Sequence, residues 1–291
     1  MPIRTLLLTA LAPAIWGSSY FVTTTFLPGH SPLVVALLRA LPAGLLLLVM
    51  VRQLPPLSWL PKLLVLGALN FSLFWVLLFL SAYRLPGGVA ATLGAVQPLA
   101  VVFLSALLLK TQIRAAAIAA AMLSIAGVAL LVLTPAAELD ALGVLAGLGG
   151  ALSMAAGVVL TRKWQPPVAP LTFTAWQLTA GGLLLMPVAL WMVPEMPVFT
   201  AANILGLAYM SLIGGALTYI LWFRGLARID PSQVSLLGVL SPLTAVILGW
   251  LLLGESLTPN QILGAALALF SLWLGQARLR WRIKRAATPA E

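Results

Sequence analysis

The stretch that decides the fold is residues 234–274, VSLLGVLSPLTAVILGWLLLGESLTPNQILGAALALFSLWL. Two apolar runs, Val234–Leu253 and Ile262–Leu274, flank a short polar turn whose single charged residue is Glu255. At about 1.5 Å per residue, the first run is long enough to cross the ~30 Å hydrocarbon layer of a membrane. Neither run has the polar face that a helix of a soluble domain needs. The stretch therefore predicts a helical hairpin that lies in lipid.

A related copy of this hairpin lies earlier in the chain, at residues 90–131. The positions that match are Pro242 with Pro98 and Arg228 with Arg84 at an offset of 144, and Pro170 with Pro32, Gly182 with Gly44 and Gln177 with Arg39 at an offset of 138. A six-residue difference in one loop accounts for the change of offset. We therefore predict two related halves, residues 1–136 and 137–291.

The composition predicts an all-α polytopic membrane protein. Of the 291 residues 62% are hydrophobic and 8% charged, and the mean hydropathy is +1.10, which leaves too little polar surface for a soluble globule. The N-terminus resembles a signal peptide, but its apolar run is long enough to span, so we interpret it as the first span. Ten spans are predicted, at approximately 5–27, 33–51, 63–83, 89–109, 115–133, 142–161, 171–193, 203–223, 233–253 and 261–277.

The distribution of cations predicts the orientation. Of the 16 Lys and Arg residues, 14 lie in the even-numbered loops and the two chain ends, so we predict that these segments are cytoplasmic. Since each half has an odd number of spans, the halves insert in opposite orientations. Such an inverted repeat around a central cavity is typical of secondary transporters, whose binding site lies near the midplane.

Several other classes are excluded or disfavoured. The net charge of +10 is spread over short loops and a basic tail, so no nucleic-acid partner is expected. With no cysteine and one histidine, the chain has neither a thiolate site nor a His-rich one, and no metal or cofactor is predicted. The lipid bilayer and a small-molecule substrate are the expected partners.

Two motifs give the chain a family resemblance. They are Trp16-Gly17-Ser18-Ser19 in the first span and the second-half hairpin, Pro242 followed by Leu253-Gly254-Glu255-Ser256-Leu257-Thr258 and Gln261-Ile262-Leu263-Gly264. Over essentially its whole length the chain resembles the drug/metabolite transporter superfamily, EamA type. The first-half hairpin departs from the second, with Lys110-Thr111 where the second has Gly254-Glu255, which argues against a symmetric role for that acid.

The resemblance implies a ten-span carrier of the bacterial inner membrane, most often an exporter of amino acids or other small metabolites. A cavity rich in aromatic residues is similar to that of the aromatic amino acid exporter subgroup.

Arg39 is the sole ionised group inside a predicted span, about six residues or ~9 Å from its start. A charge at this depth is costly and usually faces a cavity or a partner. It could be the counter-charge for a substrate carboxylate, or its long side chain could snorkel to the outer interface.

A stripe on span three is the best candidate for cavity lining. Asn70, Phe74, Leu78 and Ser81 share one helical face, and they match Gly214, Thr218, Trp222 and Gly225 of span eight at an offset of 144. We predict substrate contacts for the four stripe residues, Thr218 and Trp222. The alternative is ordinary hydrogen bonding between helices.

Further candidates lie in spans one, four and nine. Trp16, Ser19 and Tyr20 could contact substrate, or could pack around Gly17. The matched pairs Gln97-Pro98 and Ser241-Pro242 predict hinges at the prolines, with Gln97 and Ser241 facing substrate or the freed carbonyls; the alternative is a static kink.

Small residues at 115–121 and 264–268 predict close helix packing, with a dimer interface as the alternative. A monomer is favoured and a homodimer is possible.

The leading function is an alternating-access carrier that exports amino acids, aromatic and other apolar ones favoured, and related small metabolites or toxins. No Asp or Glu lies within a predicted span, and His30 lies in a loop, so a facilitator or exchanger is favoured over an obligatory proton antiporter. A membrane receptor or scaffold is the alternative. An intramembrane enzyme is least favoured, because the chain lacks a buried nucleophile–base pair.

Overall fold

A computed structural model describes residues 3–84, 93–132, 140–193, 197–253 and 258–287. Within these ranges the chain is helical and contains no strand. The helices are α1 (Ile3–Phe26), α2 (Pro32–Val51), α3 (60–84), α4 (Gln97–Leu109), α5 (Ala115–Val132), α6 (Ala141–Lys163), α7 (Pro170–Met192), α8 (Ala201–Leu226), α9 (231–253) and α10 (Pro259–Ala287). Seven of them are long and apolar enough to cross a membrane, while α4, α5 and the apolar part of α10 are shorter. The predicted class, an all-α polytopic membrane protein, is confirmed.

Polar residues and prolines set the helix starts. Asp140 Oδ1 accepts a hydrogen bond from Gly143 N at 2.7 Å at the start of α6, and Asp230 Oδ1 accepts one from Ser232 N at 2.9 Å at the start of α9. These carboxylates satisfy backbone donors that the first helical turn leaves unpaired. The apolar runs therefore become helices with defined ends.

Both halves contain a helical interruption at matched positions. A π-helical segment lies in the middle of α3, Ala68–Ser72, and another in α8, Tyr209–Leu217, which the offset of 144 superimposes. Such segments widen the turn and often lie at functional sites.

The prolines follow a second pair of interruptions. A 3₁₀ segment, Leu237–Val239, precedes Pro242, and a turn at residues 95–96 precedes Pro98. Within the predicted span over 89–109, residues 93–94 are helical, a turn follows at 95–96 and the helix α4 begins at Gln97; residues 85–92 lie outside the described ranges. Pro98 occupies the first turn of α4, where its missing N–H breaks no helical hydrogen bond.

Two hydrogen bonds join the ends of helices that are distant in sequence. At one end, Asn203 Nδ2 donates to Phe26 O at 2.7 Å, which joins α8 to the end of α1. At the opposite ends of these helices, Arg162 Nη1 donates to Leu226 O at 3.3 Å, which joins the end of α6 to the end of α8. The start of α8 thus lies beside the end of α1, and the end of α8 beside the end of α6, as the predicted inverted arrangement of five and five expects. The division between residues 136 and 137 stays a prediction, because 133–139 lie outside the described ranges.

The two halves exchange their first helices. Helix α1 packs against α8 and α9 of the second half, whereas α6 packs against α3 and α4 of the first half. Glycines permit the close approach: a Cβ at Gly17 of α1 would clash with Ser241 O of α9, and a Cβ at Gly157 of α6 would clash with Asn70 of α3. The centre of the molecule is therefore built from both halves.

Helices α2 and α7 cross at matched glycines. A Cβ at Gly44 would lie 2.6 Å from Thr179 N, and a Cβ at Gly182 would lie 2.7 Å from Leu41 Cα. Helices α5 and α10 pack closely in the same manner, with Gly127 against the backbone of Ala268. The small residues of α5 and α10 thus pack within one chain.

Gly44→Ala and Gly182→Ala are each expected to destabilise the protein by about 1–3 kcal/mol, because the added methyl group meets backbone atoms that cannot move aside. Thermal unfolding in detergent measures the loss. Gly149→Ala is the matched control, because its Cβ would lie 3.4 Å from the side-chain atom Leu77 Cδ1. Equal melting temperatures for all three variants would contradict the close crossing of α2 and α7.

Candidate functional site

One backbone carbonyl lies at the centre of the candidate site. Gly214 O, in the π-helical segment of α8, accepts hydrogen bonds from Arg39 Nη2 at 2.6 Å, Thr218 Oγ1 at 2.8 Å and Trp16 Nε1 at 3.2 Å. Trp16 Nε1 also donates to Thr218 Oγ1 at 2.8 Å. Three helices, α1, α2 and α8, therefore meet at one oxygen atom.

Aromatic rings surround this carbonyl. Trp75 lies under the Arg39 guanidinium, with 5.7 Å between Cζ and the ring centroid, within the range of a cation–π interaction. The ring of Trp16 contacts Tyr219 at 5.1 Å and Trp222 at 5.2 Å between centroids. Six rings are connected by pairwise contacts, and we call them the aromatic cluster: Trp16, Phe71, Trp75, Tyr219, Trp222 and Phe223.

The geometry distinguishes between the two roles considered for Arg39, a counter-charge for a substrate carboxylate and a side chain that snorkels to the outer interface. The residue lies seven positions, or ~10 Å, beyond the start of α2. Its guanidinium is bonded to the middle of α8 and lies over a ring of α3, so it is directed into the protein rather than toward the membrane interface. The helices that carry Arg39 and the aromatic cluster, α1, α2, α3 and α8, contain no Asp or Glu in their sequences. The arrangement places a positive charge beside apolar ring faces, a combination that suits a carboxylate attached to an apolar group.

Asn70 takes part in a different, fully buried cluster. Its Nδ2 donates to Thr161 Oγ1 at 3.0 Å and to Gln177 Oε1 at 3.1 Å, and Thr161 Oγ1 donates to Gln177 Oε1 at 3.0 Å. The repeat relates the two clusters, because Gln177 matches Arg39 and Asn70 matches Gly214. The amide pair of one cluster thus corresponds to the guanidinium–carbonyl pair of the other.

The remaining stripe residues of α3 lie against glycines of α6. A Cβ at Gly147 would lie 2.8 Å from Ser81 Oγ, and one at Gly150 would lie 3.6 Å from Phe74 O and Leu78 N. In this structure the part of α3 that carries the four stripe residues packs against α6. Substrate contacts for Asn70, Phe74, Leu78 and Ser81 stay predictions.

Four other predicted residues lie near the site helices. Ser19 is half-buried, and its Oγ has no hydrogen-bond partner among the described residues. Gln97 and Ser241 are half-buried, and the backbone carbonyl of Ser241 faces Gly17. The side chain of Tyr20 lies outside the described part of the chain. The structure thus brings Trp16, Arg39, Thr218 and Trp222 together, and the other predicted residues whose side chains are described lie outside this group.

Sequence reasoning missed several members of the site. Tyr219, Phe71 and Trp75 were not singled out as binding residues, although each neighbours or lies one turn from a stripe residue. The repeat contained a usable signal. A contact between Arg39 and residue 214 implies one between Gln177 and residue 70, since the same offsets relate the four positions.

A separate cavity of about 330 Å³ lies between the start of α5 and the end of the apolar part of α10, lined by residues 112–117, Leu274 and Gly275. It shares no residue with the aromatic cluster. In the part of the chain that the structure describes, no group of three His, Cys, Asp or Glu side chains is placed to hold a metal ion.

Apolar helices packed around a polar and aromatic centre define a multi-pass membrane protein. The chain belongs to the EamA-like transporter family. The sequence pattern of that family matches this chain twice, at residues 3–133 and at residues 141–275. Protein PecM of Dickeya dadantii is 44% identical over 282 residues, covering 96% of this chain and 95% of that protein.

Two more distant relatives and one solved structure complete the comparison. The "Probable amino-acid metabolite efflux pump" of Escherichia coli is 26% identical, with 94% of this chain and 95% of that protein covered. The "Probable terminal-alkyne amino-acid exporter" of Streptantibioticus cattleyicolor is 24% identical, with 96% and 95% covered. One crystal structure superimposes with a TM-score of 0.80 at 18% identity, covering 95% of this chain and 99% of that one, and shares the fold.

Thr218→Val is expected to destabilise the protein by about 1–2 kcal/mol, because it removes the hydroxyl that joins Trp16 to Gly214 O while keeping the side-chain shape. Thermal unfolding in detergent is the measurement. Thr174→Val is the matched control, since the buried Thr174 hydroxyl bonds only Pro170 O of its own helix, at 2.8 Å. If the two variants lose the same stability, the hydroxyl of Thr218 does not join the helices as described.

Proposed function

We propose that this protein is a secondary transporter that works by alternating access and exports amino acids, with aromatic and other apolar ones favoured, and related small metabolites or toxins. The observation that carries the proposal is the Arg39 guanidinium bonded to Gly214 O and lying over Trp75, inside a cluster of aromatic rings. Helices of both halves form this cluster, as a site at the seam of an inverted repeat requires.

The chemistry of the cluster favours an amino acid. A substrate carboxylate can pair with the guanidinium, and charge-assisted bonds of this kind are the strong ones in proteins. An apolar or aromatic side chain can contact the ring faces of Trp16 and Tyr219, where apolar contact and orienting polar groups together give specificity. The names of two relatives, a probable terminal-alkyne amino-acid exporter and a probable amino-acid metabolite efflux pump, support the same class.

Coupling to protons is not part of the proposal. The sequence has no Asp or Glu in its predicted spans, and an intramembrane proton relay normally uses such a carboxylate or a histidine. A facilitator or exchanger driven by the substrate gradient needs neither. We place the protein in a bacterial inner membrane with both chain ends in the cytoplasm and favour a monomer.

The test is a transport panel in proteoliposomes that compares phenylalanine with phenethylamine, which lacks the carboxylate. Arg39→Gln is expected to raise the KM for phenylalanine tenfold or more, because a hydrogen bond to a charged group contributes about 1.5–3 kcal/mol. Phenethylamine transport should change little. Arg224→Gln, at an exposed position of α8, is the control for the loss of one positive charge.

Unchanged phenylalanine kinetics in a folded Arg39→Gln protein would remove Arg39 from the binding site. Failure of the wild-type protein to transport any labelled amino acid in counterflow would overturn the proposed function. A proton flux coupled to substrate would contradict the exchange mechanism.

Pro98→Ala and Pro242→Ala are each expected to lower the turnover rate several-fold while leaving KM within about twofold. The reason is that both prolines follow an interruption of their helix and thereby fix where it can bend. Pro187→Ala, inside α7 and exposed, is the control. A variant with normal turnover and altered KM would exclude the hinge role.

A further inference from the structure

The amide triad, Asn70, Thr161 and Gln177, joins three helices at a fully buried point. Asn70 and Gln177 have no exposed surface, and Thr161 is 2% exposed. The three polar atoms that bond one another lie 3.0–3.1 Å apart. Since Asn70 belongs to α3 and the other two residues to α6 and α7, the triad fastens the first half to the second.

The triad is closed but incompletely satisfied. Asn70 Oδ1 and Gln177 Nε2 are buried and have no hydrogen-bond partner within the described part of the chain. Turning both amide groups over preserves the three bonds and leaves the other atom of each amide unpaired, so this property does not depend on the amide orientation. A buried unpaired polar atom carries a desolvation penalty, which opening to water relieves. The closed triad is therefore poised to open.

An apolar plug lies one helical turn from the triad. We call the inner plug Leu63, Leu66, Phe173 and Trp176, which form one buried cluster. Leu66 precedes Asn70 by four residues and Phe173 precedes Gln177 by four, so each lies on the same helical face as its triad residue. Trp176 Nε1 donates to Gln53 O at 2.6 Å, in the loop between α2 and α3. The inner plug thus seals the end of the molecule that the cation distribution assigns to the cytoplasm.

A matching plug lies at the opposite end. The outer plug is Val22, Leu27, Val35 and Met210, again one buried cluster. The repeat offsets place Met210 on Leu66 and Val35 on Phe173. Val35 precedes Arg39 by four residues, as Phe173 precedes Gln177. Each plug therefore lies beside a polar fastening between the halves, the amide triad at the inner end and the Arg39–Gly214 bond at the outer end.

We propose that the amide triad is the latch of the cytoplasmic gate: its opening releases the inner plug and admits substrate from the cytoplasm. The inference rests on the alternating access of the proposed function. It goes beyond it by assigning Asn70, Thr161 and Gln177 to positioning the gate rather than to binding substrate.

The two fastenings differ in strength. The outer one is a charge-assisted bond, and such bonds are roughly twice as strong as bonds between neutral groups. The inner one consists of neutral groups. This difference favours opening at the inner end, which suits a carrier that loads on the cytoplasmic side.

The test uses single thiol reporters, because the chain has no cysteine. Leu66→Cys reports on the inner plug, and Met210→Cys, its repeat counterpart, on the outer plug. The rate of maleimide labelling in purified protein measures how often each plug opens. Gln177→Met, which keeps the side-chain length and removes the hydrogen bonds, should raise labelling of the Leu66→Cys thiol about tenfold and leave that of the Met210→Cys thiol unchanged or lower.

Ser271→Ala is the control for the loss of one buried polar side chain away from the plugs, since its hydroxyl bonds Ala268 O of the same helix at 2.7 Å. It should change neither rate. Equal acceleration of both reporters by Gln177→Met, or acceleration of neither, would overturn the latch. If Gln177→Met does not fold, Gly157→Ala is the second variant, because its methyl group displaces Asn70 and should give the same one-sided effect.

The labelling experiment needs no substrate, so it separates the two proposals. Absence of transport in the wild-type protein overturns the proposed function. Normal transport together with two-sided or unchanged labelling overturns the latch alone.

Discussion

A polar group inside a bilayer must find its partner within the protein, because hydrocarbon offers none. Two such groups organise the centre of this molecule, the Arg39 guanidinium and the amide of Gln177. Each reaches across to a π-helical segment of the other half, the first to Gly214 O and the second to Asn70. The halves are thereby joined at two points, and the exchanged packing of α1 and α6 follows the same crossing.

The helical interruptions recur at matched positions of the two halves, but the polar groups at matched positions differ. Where the second half offers a bare carbonyl at Gly214, the first half offers the side chain of Asn70, and where the first half carries a charge at Arg39, the second carries the neutral Gln177. One junction therefore holds a positive charge among aromatic rings and the other a neutral hydrogen-bonded triad. A symmetric scaffold with unequal junctions allows two interchangeable conformations of unequal stability, which gives a carrier a preferred resting state.

Four of the predicted site residues, Arg39, Trp16, Thr218 and Trp222, lie together in the structure. The first three share hydrogen bonds because polar groups in apolar spans need partners within the protein, and Trp222 joins them through its ring contact with Trp16. The α3 stripe was predicted from helical periodicity, which does not say what those residues meet. It meets Gly147, Gly150 and Gly157 of α6, and only the packing of helices distant in sequence could establish this.

The sequence alone determined the all-helical class and the membrane environment, since these follow from hydropathy and segment length, and its internal offset predicts two related halves. It also located the prolines, although not that Pro98 begins its helix. The tertiary structure decided which helices exchange between halves, which carbonyl receives Arg39 and which amides close on one another. Those outcomes depend on contacts between residues far apart in sequence, such as Arg39 with Gly214 and Gly157 with Asn70, and local propensity and periodicity contain no information about such contacts.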